Sequence, residues 1–140
     1  MLVLDTDHLT EYQQGTSPAA LQLKKRLIDS DDAYVTTIIS AEEIMRGWMA
    51  AIRRIKDPRR QINSYTKLRQ IFRFFATWVV LDWDEISATH LEQLRRDKVR
   101  IGTMDLKIAS ICLARDGTLL SRNRKDFDKV PGLRVDDWMS

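Results

Sequence analysis

Met1-Leu2-Val3-Leu4-Asp5-Thr6-Asp7-His8 opens the chain, and the step from Leu4 to Asp5 decides how the rest is read. Leu2-Val3-Leu4 is apolar without alternation, the pattern of a strand covered on both faces. A carboxylate placed directly after such a strand must be solvated, paired or bound to a cation, because burying a bare charge is costly. Further runs of this kind follow. Tyr34-Val35-Thr36-Thr37-Ile38-Ile39 is β-branched and aromatic and predicts a second strand. Trp78-Val79-Val80-Leu81 predicts a third, Thr118-Leu119-Leu120-Ser121 a fourth, and Leu133-Arg134-Val135 a fifth at an edge.

Helical stretches separate these runs. Asp7 to Gln14 stops at Gly15-Thr16-Ser17-Pro18. Ala19 to Ile28 repeats apolar residues at Leu21, Leu23, Leu27 and Ile28, an amphipathic pattern. Ser40 opens a helix through Ile55 that breaks at Asp57-Pro58, and a second runs from about Arg59 to Ala76. Together they predict an antiparallel hairpin over about residues 40–77. Glu85 to Asp97 is helical with Ile86, Leu91 and Leu94 inward. Thr103 caps a last apolar helix that Gly117 closes. Strands alternating with helices predict an α/β fold, a parallel sheet with helices on both faces. Ligands in such folds bind beyond the C-terminal ends of the strands. Acids that follow strands are therefore the residues to weigh.

Composition bounds the answer. The 140 residues suit one domain, and 44% apolar with 31% charged residues argues against disorder. A lone Cys112 excludes a disulfide framework and a zinc ribbon, and His8 and His90 are too few for a His-rich metal site. No apolar run is long enough to span a membrane, and the start lacks the features of a secretory signal. The protein is expected in the cytoplasm, with no membrane partner.

The net charge of +3 conceals an uneven distribution. Between Arg46 and Arg73 nine basic residues face Asp57 alone, so this limb carries +8 and the remainder −5. A solvated helical face and a phosphate-facing surface both fit that limb.

Each acid has a structural and a functional reading. Asp5 either caps the helix that follows or works at a site, and Asp7 has the same two options. Glu42 and Glu43 follow the second strand, and Ser40-x-x-Glu43 fits a capping box. Asp105, in the first turn of its helix, complements the helix dipole or faces a site. Asp126 and Asp128 lie in a polar turn after the fourth strand. The combination is more informative than its members. Acids after three strands and at one helix start can converge, and convergent carboxylates repel unless divalent cations neutralise them. All-oxygen ligands suit Mg²⁺ or Mn²⁺. An acidic metal pocket beside a basic limb suits phosphodiester cleavage.

The sequence resembles a known family in four ordered motifs. Leu4-Asp5-Thr6-Asp7 resembles the "LDT(N/D)" opening of PIN-domain nucleases, in particular VapC-type toxins of type II toxin–antitoxin pairs. Ile38-Ile39-Ser40-Ala41-Glu42-Glu43-Ile44-Met45-Arg46-Gly47 resembles their "T-x-A-E-L-x-x-G", with Glu43 the matching acid. Ile101-Gly102-Thr103-Met104-Asp105-Leu106-Lys107-Ile108-Ala109 is similar to "I-G-x-x-D-x-x-I-A". Leu119-Leu120-Ser121-Arg122-Asn123-Arg124-Lys125-Asp126-Phe127 is similar to "L-V-T-x-N-x-x-(D/E)-F". Ser121 stands where Thr is common in the family, and Arg122 where Asn is frequent.

That resemblance implies a three-layer α/β/α sandwich around a mostly parallel sheet of four to five strands. It implies an endoribonuclease using one or two Mg²⁺ or Mn²⁺ ions and leaving a 5′-phosphate. Asp5, Glu43, Asp105 and Asp126 carry over as catalytic, metal-binding acids, with Asn123 at the alternative fourth position. Ser121, Asn123 and Thr6 become positioning residues. Arg46, Arg53, Arg54, Arg122 and Arg124 are expected to hold the RNA backbone. The implied partners are RNA, a VapB-like antitoxin that blocks the site, and a second copy of the chain. Two rivals draw on the same residues. Asp5-Thr6-Asp7-His8-Leu9 comes close to the nucleophile motif of haloacid-dehalogenase phosphatases, but their late acid pair is missing. A non-catalytic nucleic-acid-binding module accounts for the basic limb but not for the acids.

Overall fold

A computed structural model describes all 140 residues. Strands β1 (Leu2–Leu4), β2 (Tyr34–Thr37), β3 (Val80–Leu81), β4 (Thr118–Leu120) and β5 (Arg134–Asp136) form one sheet. Every neighbouring pair is parallel, and the order is β3-β2-β1-β4-β5. Helices α1 (Thr6–Gln14) and α2 (Pro18–Asp29) join β1 to β2, and α3 (Ile38–Arg54) and α4 (Pro58–Ala76) join β2 to β3. Helices α5 (Glu85–Arg96) and α6 (Thr103–Arg115) carry the chain back to β4, and α7 (Arg124–Phe127) joins β4 to β5. The α/β sandwich and the parallel sheet follow the sequence, with five strands rather than four.

The apolar strands are buried on both faces because successive side chains alternate. Val3, Val35 and Leu119 point to one side, where they meet Leu91 and Leu94 of α5 and Ile108, Ile111 and Cys112 of α6. Leu2, Leu4 and Leu120 point to the other, against Leu9 of α1, Leu23 and Leu27 of α2, and Met139. Asp5, the next residue along β1, emerges between these two cores.

Several boundaries differ from the sequence pattern, each for a local reason. β2 ends at Thr37, whose hydroxyl accepts the Ser40 amide at 3.1 Å and caps α3. Ile38 and Ile39 therefore begin a helix, and the capping box from Ser40 to Glu43 does not form. β3 shortens to two residues because Trp78 turns into an aromatic cluster with Tyr12, Tyr34 and Phe74. Gly102 occupies the N-cap position of α6 and offers no side-chain cap, so Thr103 is the first helical residue and not the cap. At its other end Asp116 takes the left-handed conformation (φ 51°), where the pattern points to Gly117. Gly117 is needed for space instead: a Cβ there would lie 2.8 Å from Val3 Cγ2. On the helices, Leu21, Ile28 and Ile86 are exposed, and Ala20, Leu23 and Leu27 form the buried stripe of α2.

Candidate active site

The chain passes from β1 outward to β2 and β3, then returns to the opposite flank of β1 as β4. The strands part there, so a crevice opens beyond the C-terminal ends of β1 and β4. Asp5 and Ser121 are the first residues past those ends. The Asp5 amide donates to the Leu120 carbonyl at 3.0 Å, which continues the ladder by one residue. Asp5 Oδ1 accepts the Thr6 amide at 2.8 Å and caps α1, while Oδ2 accepts the Ser121 hydroxyl at 2.6 Å. Cap and site are thus the same carboxylate, with one oxygen for each.

Asp5 is 6% exposed. Burial pushes its pKa up to about 7, the Ser121 hydrogen bond opposes the rise, and the charges of Asp7 and Asp105 add to it. Asp105 lies in the first turn of α6 and is half-buried. Its pKa is also raised, first by burial, then by Glu43 and Asp126, against an Asn123 hydrogen bond that lowers it. Glu43 reaches this group from the second turn of α3. Its Oε1 accepts the Thr6 hydroxyl at 2.8 Å, and that hydroxyl oxygen stands 3.1 Å from the Ser40 hydroxyl. Glu42 turns away and pairs with Arg46 at 2.8 Å. Asn123 Nδ2 donates to Asp105 Oδ2 and to Asp126 Oδ2, each at 3.2 Å. One amide therefore ties the fourth acid to the third. Asp128, exposed beyond α7, takes no part in these contacts.

Asp5, Glu43 and Asp105 line one cavity of about 440 Å³, together with Thr6, Asp7 and Arg122. No apolar side chain lines it. Asp126 stands behind Asp105 and does not line the cavity. No three acidic, histidine or cysteine side chains form a ready-made cage for an ion. Glu43 is held by Thr6, and Asp105 by Asn123. The donor set still suits a hard divalent cation: it is all oxygen, and two of its acids, Asp5 and Asp105, are disfavoured as anions by burial and by neighbouring negative charge.

Asp7 gains a role that its position at the start of α1 signalled only as an alternative to capping. Its Oδ2 accepts the Arg122 amide at 2.9 Å, and its Oδ1 lies 2.8 Å from His8 Nδ1. His8 is fully buried, and its Nε2 accepts the Trp138 amide at 3.1 Å. The amide donor at Nε2 leaves Nδ1 as the ring nitrogen that faces Asp7. In the sequence His8 stands out only as one of two histidines. Its contact with Trp138 spans 130 positions, and no local pattern encodes it.

The basic residues divide into two groups. Arg122 lines the acidic cavity, and Arg124 is exposed at the start of α7. Arg46, Arg53 and Arg54 line a separate hollow on α3 with Met49 and Ala50. Lys67 of α4 places its ammonium 5.5 Å from the centre of the Trp48 ring on α3.

Comparison with known proteins gives a consistent picture. A family model described as "PIN domain" matches residues 2–133. A "tRNA(fMet)-specific endonuclease VapC" of Shigella flexneri is 36% identical over 63 residues, 42% of this chain and 48% of that protein. A "Ribonuclease VapC" of Rickettsia bellii is 25% identical over 136 residues, 96% of this chain and 93% of that protein. The chain thus spans about half the length of the Shigella relative and nearly all of the Rickettsia one. Among solved structures, "DNA bound VapBC from Salmonella typhimurium" aligns over 98% of this chain and 97% of that chain. Its TM-score is 0.76 at 22% identity, which shows a shared fold.

Proposed function

The chain belongs to the PIN-domain family, and from that premise we propose that it is a Mg²⁺- or Mn²⁺-dependent endoribonuclease serving as the toxin of a type II toxin–antitoxin pair. The observation that carries this reading is the meeting of Asp5, Glu43 and Asp105 around one polar cavity, with Asp126 tied to Asp105 through Asn123. Residues 1–140 act as one nuclease unit in this reading, and it works in the cytoplasm, where RNA is available.

Asp5 and Asp105 would hold the first ion, and Glu43 and Asp126 a second ion or the water around it. A bound divalent ion supplies charge neutralisation at the phosphate and raises the acidity of nearby water. The chain's own residues supply the positioning. Ser121 donates to Asp5 and favours its ionised form. Thr6 fixes the rotamer of Glu43. Asn123 holds Asp105 and Asp126 side by side despite their repulsion. Arg122, beside the cavity, faces the negative charge of an incoming phosphate. Arg46, Arg53, Arg54 and Arg124 hold the backbone on either side. Hydrolysis on this pattern leaves a 5′-phosphate and a 3′-hydroxyl.

A VapB-like antitoxin and a second copy of the chain complete the proposal as protein partners. An apolar cavity of about 660 Å³ lies at the β3 edge, lined by Ile38, Ile39, Met45, Phe75, Val80 and Trp83, of which Ile38 is exposed. Such a surface suits protein more than RNA.

Brief expression followed by end-mapping of cellular RNA tests the proposal. Wild type should produce new 5′-phosphate ends, and Asp5→Asn or chelation with EDTA should abolish them. Cleavage by Asp5→Asn at the wild-type rate, or undiminished cleavage in EDTA, would sink it.

A further inference from the structure

A second depression of about 400 Å³ continues the acidic cavity along α1 and α3. The two share Thr6, Thr10 and Glu43, so they adjoin one another. Beyond the shared residues the walls are Gln13, Gln14, Ile44, Gly47, Trp48 and Ala51, so amide groups and apolar surface stand side by side. We infer that this groove seats the nucleotide adjoining the scissile phosphate of a single-stranded RNA, its base stacked on Trp48; the inference rests on the nuclease reading above.

The polymer itself makes the first argument. A phosphodiester held at Asp5 and Asp105 is bonded to a nucleoside on each side, and each must leave through a hollow that adjoins the cavity. The groove is such a hollow. Its surface chemistry makes the second. An indole face binds any base by stacking, and a cation beside it attracts the backbone. Lys67 over the Trp48 ring provides that cation. The amide of Gln13 offers both donor and acceptor to a base edge. An apolar protein segment would find better cover in the larger cavity at the β3 edge.

Gly47 makes the third. It lies inside the 17-residue α3, where glycine is less favourable than alanine. A Cβ at this position would meet nothing within 4 Å, so no packing contact requires glycine. Space for a ligand does. Any side chain at Gly47 would project into the groove without disturbing the core. Ile44, Trp48 and Ile52 stand at four-residue spacing on α3. Only Ile52 is buried, and Ile44 and Trp48 line the groove.

The test compares wild type, Gly47→Leu, Trp48→Ala and Trp48→Phe. A short fluorescein-labelled single-stranded RNA of mixed sequence is titrated in Ca²⁺ by anisotropy, and its cleavage is followed in Mg²⁺. Gly47→Leu and Trp48→Ala should each weaken binding and raise KM by about 5- to 100-fold, the range expected for removing one base stack. Trp48→Phe should recover most of the loss, and Gly47→Leu should melt no lower than wild type. Wild-type affinity and KM in both disruptive variants would overturn the inference and leave the nuclease reading intact. So would unchanged RNA binding with an altered mass by light scattering, which would assign the groove to a protein partner. If no variant cleaves RNA, the nuclease reading fails and anisotropy alone decides the groove. Weakened binding in the two variants would retain the subsite. Binding unchanged in them, or absent in wild type, would remove it.

Discussion

The Ser121 hydroxyl donates to Asp5 Oδ2 at 2.6 Å, across the crevice between β1 and β4. It is the only side-chain donor to a carboxylate that burial otherwise drives toward protonation. Ser121→Ala should therefore raise the Asp5 pKa above its value of about 7. At neutral pH fewer molecules would carry the ionised ligand, and cleavage should fall by about 10- to 100-fold, the usual cost of losing a partner of a metal ligand. The pH–rate profile should move to higher pH, and Ser121→Thr should restore it. An unmoved profile in Ser121→Ala would contradict this account.

The contribution of Asp5 and Asp105 to metal-free stability should decline as pH rises. Asp5 titrates near 7 in the folded chain and at 3.8 as a free side chain, and Asp105 is shifted in the same direction. The folded state thus binds the extra protons. Their contribution is fully present below about pH 4 and is lost as pH rises through about 7. Thermal melts in EDTA should show Asp5→Asn gaining on wild type between pH 5 and 8 and matching it near pH 4. Saturating Mg²⁺ at pH 8 should stabilise wild type, by about 2.7 kcal/mol at a hundredfold excess over Kd. An equal pH dependence in the two proteins would refute the assignment.

Asn123 should prove as important as the acids it joins. Its amide donates to both Asp105 and Asp126. Asn123→Ala frees both, and Asn123→Asp adds a third negative charge. Each change should raise the Asp105 pKa further and weaken Mg²⁺ affinity by about 10- to 100-fold. Isothermal titration with Mg²⁺ measures this directly. The loss should be larger for Asn123→Asp at low ionic strength, where repulsion is least screened.

Arg53 and Arg54 should act through charge rather than through the chemistry. They line a hollow on α3 apart from the acidic cavity. Replacing both by Ala should raise KM and leave kcat near wild type. The slope of log K against log salt should flatten by about 0.7 for each phosphate of a single strand that is no longer neutralised. A fall in kcat with an unchanged salt slope would place these residues elsewhere in the mechanism.

How much of this was legible in the sequence depends on the range over which each signal acts. Strands such as Leu2-Val3-Leu4 were legible because burial on both faces leaves an unbroken apolar run. Asp5 was legible because it interrupts that pattern at a strand end. Glu43 was obscured by a plausible capping box, and the competing cap at Thr37 prevailed because β2 stops before Ile38. Asp116 and Gly117 exchanged their expected roles because close packing on Val3, a contact across the fold, decides where glycine is needed. The bonds from His8 to Asp7 and Trp138 were invisible, since nothing within a window of local sequence distinguishes a hydrogen-bonded histidine from a packed one.

The sheet order has a consequence for synthesis. Asp5 and Ser121 are 116 positions apart yet lie side by side, because β4 slots in next to the first strand made. During translation the N-terminal acids emerge while the strand that completes their surroundings has not been synthesised. Until then Asp5 lacks the hydroxyl that steadies it, and Asp105 lacks Asn123. Under the proposed function, the site of Asp5, Glu43 and Asp105 would be complete only once Ser121 and Asn123, near the C-terminal end, have joined it.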